Sequence, residues 1–300
     1  MNDVPRPLAV VDAVSGDGAV LRLRRHGNPQ AATRLFMSHG NGFAIDGYAD
    51  FWSRFLGDFD IVAFDMRNHG QNPLGDPAHH NYAQMTHDIA AVGRAARAEF
   101  GAKPEVGVFH SMSAQSALLQ VLAGEPRFDL LILFDPPNTP PEGHPAAAPM
   151  LAYLRRLVAW ASQRRDRFAA PADLAAEYAA TRSGRRWVAG ADRLGARSVL
   201  RADGDEWRLT CPRDLEASMY RQGITLNLWP RRCDVAVPVT LIGADPDASY
   251  PAATGLSNRA LAAEGGFAYR TIRGTSHLAQ FEEPAACAAI VLDILRQTGL

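Results

Sequence analysis

Cysteine is scarce in this 300-residue chain: Cys211, Cys233 and Cys287 are odd in number, far apart, and form no C-x-x-C pair. That excludes a disulfide framework and a zinc knuckle, and it makes a reducing compartment the default. An excess of charge is also missing. Lys and Arg number 31 against 32 Asp and Glu, a formal net charge of -1, so no bulk field draws the chain to nucleic acid, a membrane surface or a polyanionic substrate. No apolar run approaches the length of a membrane span, and the opening residues M-N-D-V-P-R-P-L-A-V-V lack a basic start followed by a sustained apolar core. A cytoplasmic protein is expected. No internal repeat and no H-E-x-x-H occur. His79 and His80, with His87, find no further ligand at helical or hairpin spacing, so no metal site is expected and the pair reads as exposed loop.

The composition, 47% hydrophobic against 21% charged, is enough to bury a sizeable core. The basic charge is nearly all Arg, and the Arg164-Arg165 and Arg185-Arg186 clusters stand near Asp166, Asp173 and Glu177, as solvated helix faces do. Short β-rich runs alternate with helical spacing, the pattern of an α/β fold with a mostly parallel central sheet flanked by helices. Residues 8–14 and 19–25 flank Gly16-Asp17-Gly18 as an opening hairpin, and residues 34–38, 60–64, 106–109, 130–134, 237–242 and 268–272 complete the predicted strands. Helical spacing covers residues 82–100, 114–122, 257–264 and 284–297. Between residues 134 and 237 the alternation breaks: a proline-rich passage leads into a long Ala/Arg/Leu helix pattern with no good strand, far beyond an ordinary connection. The expected organisation is a core of residues 1–137 and 233–300 with a helical cap, 138–232, over the strand ends.

The most informative run is V-G-V-F-H-S-M-S-A, residues 106–114, where a strand pattern stops at His110-Ser111 and a helix pattern starts at once. A serine on such a turn stands clear of its own backbone beside a helix N-terminus, which favours developing negative charge. Ser111 is the candidate nucleophile; Ser113 fits worse. A nucleophilic serine needs a base, a group that orients the base, and donors for an oxyanion. His277, in G-T-S-H-L-A-Q-F-E-E-P between the last strand and the last helix, is the candidate base. His39-Gly40-Asn41-Gly42-Phe43 follows a strand and can aim an N–H inward, so Asn41 or Gly42, with Met112 N–H, are the oxyanion candidates. For the acid, Asp245 is favoured because it closely follows a strand and starts an Asp-Pro turn. Asp247 and Asp135 are the alternatives.

Strand then H-G, D-x-R-x-H-G at residues 65–70, H-S-M-S, and a late G-x-x-H with E-E-P together resemble the α/β-hydrolase fold superfamily over most of the chain. The order serine, acid, histidine is also that superfamily's order. The resemblance implies a capped, cofactor-independent serine hydrolase acting on a carboxylic ester or lactone, with a small-molecule substrate, no nucleic acid and no membrane as partners, and a homo-oligomer left open. The alternatives are a C–C bond hydrolase with the same residues and a non-hydrolytic ligand-binding member. The H-G-N opening also resembles haloalkane dehalogenases, but those attack with a carboxylate where this chain has Ser111. The elbow departs from the superfamily: it is usually small-x-Ser-x-small, commonly G-x-S-x-G, whereas here the flanking positions are Phe109 and Ser113, and Phe109 is bulky where a small side chain is usual. That predicts a tilted helix or a partly filled pocket. Asp65, Arg67 and His69 are expected to brace their loop, and Trp160, Tyr178, Trp187, Trp207, Tyr220 and Trp229 are candidates to line an apolar pocket.

Overall fold

The computed structural model describes residues 4–125 and 128–300; the first three residues of the N-terminal run lie outside the described residues. In chain order the elements are β1 (Ala9–Val14), β2 (Val20–Gly27), β3 (Arg34–Ser38), α1 (Ala49–Trp52), β4 (Asp60–Phe64), α2 (Tyr82–Phe100), β5 (Glu105–His110), α3 (Met112–Leu122) and β6 (Leu130–Phe134). An insertion follows: α4 (Ala147–Gln163), β7 (Arg167–Phe168), α5 (Pro171–Ala180), α6 (Ala191–Ser198), β8 (Leu200–Asp203), β9 (Glu206–Leu209) and α7 (Arg213–Thr225). The chain then returns through β10 (Val239–Gly243), α8 (Ala253–Gly265), β11 (Ala268–Thr271), α9 (Ala279–Glu282) and α10 (Pro284–Thr298).

Eight strands form one sheet in the order β1-β2-β4-β3-β5-β6-β10-β11. β1, β2 and β4 are joined antiparallel and the remaining pairings are parallel. The central strands β3, β4, β5, β6 and β10 are buried along their whole length, which is why they read as continuous apolar runs. Their side chains alternate between two cores. Phe36, Phe64, Phe109 and Leu133 face α2, α3 and α8, whereas Leu35, Met37, Val108 and Ile132 face α1 and α10. Each fully buried Leu or Phe contributes roughly 1.5–3 kcal/mol, so the two cores together fix the sheet and leave its strand ends to carry polar groups.

The helix α2 begins where Asn81 caps it, its side chain accepting from Gln84 N–H at 3.0 Å. The insertion is not purely helical. β7, β9 and β8 form a small antiparallel sheet over a third core that includes Phe168, Leu174, Val199 and Leu209. Its strands are two to four residues long and rich in Arg and Asp, too short for an alternating pattern to stand out. The one local signal is Asp203-Gly204, where Gly204 has φ of 66° in the hairpin turn. Cys211, Cys233 and Cys287 are free. Among the described residues no helix is long and apolar enough to cross a membrane.

Candidate active site

Four neighbouring strand ends set the site. In register, Ser38 of β3 lies beside Phe109 of β5, His110 beside Phe134 of β6, and Phe134 beside Ile242 of β10. The residues just past these ends are therefore brought together: the His39 to Gly42 loop, Ser111 and Asp135. Ser111 has φ of 54° and ψ of −113°, a strained conformation for a residue with a side chain, held by its N–H to Phe134 O at 2.9 Å. Gly40 allows the close approach of the next loop, since a Cβ there would sit 3.2 Å from Ser111 Cβ and 2.9 Å from His110 Nδ1.

Ser111 Oγ lies 3.0 Å from His277 Nε2, and His277 Nδ1 lies 2.7 Å from Asp135 Oδ2. With the imidazole N–H on Nδ1, Nε2 is free to accept the serine proton. Asp135, 3% exposed, also accepts from Ala244 N–H at 3.0 Å, from Asn258 Nδ2 at 3.0 Å and from the Thr254 hydroxyl. The acid on His277 is thus Asp135 and not the favoured Asp245. Phe134 pairs with Ile242, so Asp135 stands level with Gly243, while Asp245 lies two residues further out. There Asp245 accepts from Gly274 and Asp247 N–H at 2.7 and 2.9 Å. These backbone bonds lower its pKa and brace the turn leading to His277. Asp247 is exposed and paired with Arg259 at 2.6 Å.

The oxyanion candidates also separate. Gly42 donates its N–H to His69 Nε2 at 3.2 Å, and His69 Nδ1 faces Arg67 O at 2.8 Å, so Gly42 is not available as the donor expected of it. Neither Asn41 N–H nor Met112 N–H is bonded to a backbone carbonyl of the turns, loops and caps among the described residues. Asn41 Nδ2 donates to Glu216 O at 2.8 Å, which ties this loop to the insertion. Behind the elbow, Gly40 N–H donates to Tyr48 Oη at 3.2 Å, Tyr48 Oη pairs with His110 Nδ1 at 2.8 Å, and His110 Nε2 meets His277 O at 2.9 Å. His110 therefore ties all three loops. Burial, and then the neighbouring His277, hold its pKa well below the ordinary histidine value, so it serves as a neutral hydrogen-bonding bridge.

Phe109 neither fills the pocket nor lines it. Its ring packs with Phe64 and Phe128 over Gly107, where any Cβ would collide with it. A small residue two positions earlier on the same strand face makes the room. Ser113 is fully buried and bonded to His110 O and N–H at 3.0 and 3.1 Å. Asp65 accepts from Ile45 and Gln71 N–H and pairs with Arg24 at 3.0 Å, and Arg67 pairs with Asp88 and Asp17 at 2.6 and 2.8 Å. His80 corrects the loop reading: it is buried against Asn68, although His79 is partly exposed. Among the described residues no group of His, Cys, Asp or Glu is placed to hold a metal.

Above Ser111 and His277 lies a cavity of about 360 Å³. Four of the six cap aromatics named from the sequence, Trp160, Tyr178, Trp187 and Tyr220, line it with Phe43 and Tyr153. Trp207 lies in the small sheet, and Trp229 packs on His144 and donates to Glu264 at 2.9 Å. Sequence reasoning missed Tyr48, Arg164, Glu216, Thr254 and Asn258. Thr254 and Asn258, four apart on α8, were the most legible, as a polar pair on one helix face, but the helix was expected to start only at residue 257.

A mostly parallel sheet with this elbow and a covering insertion is the architecture of the α/β-hydrolase class. The sequence matches the model of the alpha/beta hydrolase family over residues 35–290, and the chain belongs to that family. Solved structures of the same fold include an E-2-(acetamidomethylene)succinate hydrolase at a TM-score of 0.77, 18% identical, covering 96% of this chain and 99% of that one. A thioesterase domain from the curacin biosynthetic pathway aligns at 0.69 and 17% identity, covering 95% and 99%. A thermophilic esterase from Thermogutta terrifontis aligns at 0.67 and 16%, covering 96% and 98%. No curated protein matches the sequence.

Proposed function

We propose that the chain is a serine hydrolase that cleaves a carboxylic ester or lactone through an acyl-enzyme. The observation that carries this is the row Ser111 Oγ, His277 and Asp135, joined at 3.0 and 2.7 Å beneath a covered cavity. Ser111 Oγ attacks the acyl carbon as His277 Nε2 takes its proton, and Asp135 stabilises the imidazolium that forms. The N–H groups of Asn41 and Met112 receive the oxyanion. His277 then protonates the departing alcohol, and a water it deprotonates releases the acid from Ser111. This chemistry needs neither metal nor cofactor. The esterase and thioesterase share the fold at identities of 16% and 17%, so the reading rests on the side chains and not on those relatives.

A fluorophosphonate probe should label Ser111 in the folded protein. Ser111→Ala should abolish labelling and lower kcat/KM for a simple aryl ester by about 10⁴-fold or more. Full esterase activity in that variant sinks the mechanism.

A further inference from the structure

The helix α4 lays one stripe along the cavity. Tyr153, Leu157 and Trp160 line it at the spacing that stacks side chains on one helix face, and Arg164, the extended residue that ends the helix, continues the stripe. At one end the Tyr153 ring lies 6.1 Å from that of His277. Arg164 follows about 16 Å further along the axis, at roughly 1.5 Å per residue. There Arg164 Nη1 meets Glu216 Oε2 of α7 at 2.8 Å, with the two side chains only 7% and 2% exposed, and the guanidinium covers the Trp160 ring at 4.7 Å. Glu216 is also built into the oxyanion loop: its backbone carbonyl holds Asn41 Nδ2, and a Cβ on Gly42 would strike its carboxylate. Burial alone would lower the Arg164 pKa, but Glu216 raises it, so the guanidinium stays charged.

Among the described residues that line the cavity, Arg164 and Glu216 are the only ones from the set Arg, Lys, Asp and Glu, and the rest is largely aromatic and aliphatic. Resting on the ester-hydrolase reading above, we infer that the substrate is an uncharged, largely apolar ester, and that Glu216 sets this preference by cancelling Arg164 on the cavity wall. An anionic substrate entering the cavity loses its hydration and meets a guanidinium already committed to a carboxylate. With Glu216 neutral, the same guanidinium becomes an unpaired cation in an apolar wall, the strongest recognition element available for a carboxylate.

Two matched pairs of esters test this. p-Nitrophenyl hexanoate against mono-p-nitrophenyl adipate places a charge on the acyl side. Phenyl acetate against 4-acetoxybenzoate places it on the alcohol side. The wild-type protein should favour the neutral member of each pair by at least about tenfold, and Glu216→Gln, which keeps the shape packed on Gly42, should shift one of the two ratios towards the anion by at least about tenfold. Combining Glu216→Gln with Arg164→Met should return that ratio to the wild-type side. Fluorophosphonate labelling of Ser111 checks that each variant keeps its site. Labelling and neutral-ester turnover with no wild-type preference, or with ratios unmoved by Glu216→Gln, overturn the inference while leaving the serine hydrolase reading intact. Loss of labelling with no turnover of any ester by the wild-type protein overturns both.

Discussion

Two aspartates stand at the ends of neighbouring parallel strands, and only one reaches the histidine. Asp135 follows β6 directly, is buried, and accepts four hydrogen bonds, one of them from His277. Asp245 lies two residues beyond the end of β10, partly exposed, and accepts two bonds from backbone N–H groups of the loops around it. The residue type, the strand direction and the end of the sheet are the same. Two residues of overhang decide the difference, because at about 3.3 Å per residue they carry Asp245 roughly 7 Å past the level of Asp135. A carboxylate that must stabilise an imidazolium needs low local dielectric and fixed donors. Asp135 has both, whereas Asp245 has the geometry of a loop brace.

The largest effect that could break this comparison comes from exchanging each acid for its amide. Asp135→Asn should lower kcat/KM by about 10³ to 10⁴-fold, since the amide cannot stabilise the imidazolium and favours the wrong histidine tautomer. Asp245→Asn should stay within about threefold of wild type, because its partners hold a turn and not the ring. Steady-state kinetics on one aryl ester decides between them. A larger loss at Asp245 than at Asp135 would reverse the assignment.

The contrast also marks what a sequence can reveal. Ser111 was legible because a strand, a turn and a helix are consecutive, and His277 because its loop sits between a strand and the last helix. Asp135 was harder to favour than Asp245 because the choice rests on the pairing of Phe134 with Ile242, a register between strands more than a hundred residues apart in the chain. Phe109 misled for a related reason: its bulk is absorbed by Gly107 two residues earlier and by Phe64 and Phe128 from distant segments. The central strands read clearly because they are buried on both faces, while the hairpin of two four-residue strands in the insertion carries no period long enough to detect. Gly42 was a reasonable donor until His69, far along the chain, was seen to take its N–H.

A smaller effect sharpens the role of the surroundings of Asp135. Thr254→Val is nearly isosteric and removes a single hydroxyl donor from the carboxylate. The acid is then left with one acceptor site unsatisfied in a buried place, a cost of roughly 1–3 kcal/mol. Activity should fall by about tenfold with little change in KM, and the effect should shrink in an Asp135→Asn background, where the two changes act on one network. Equal effects in both backgrounds would place Thr254 in helix packing alone.

The smallest effect concerns stability and belongs to Asp245. Its backbone hydrogen bonds, from Gly274 first and Asp247 second, lower its folded pKa below the ordinary aspartate value. The charged form is therefore the one that the fold favours. Its contribution is present above the unfolded pKa near 4 and disappears as the pH falls through the lower folded value. Because the group is largely solvent-screened and an amide oxygen can keep one of the two bonds, Asp245→Asn should cost only about 0.5–1 kcal/mol at pH 7. Urea unfolding followed across pH should show that difference closing as the pH falls through the lowered folded pKa, below which both proteins carry a neutral side chain at this position. A gap that stays constant down to pH 2 would mean that shape, and not charge, makes Asp245 a brace for the loop that carries His277.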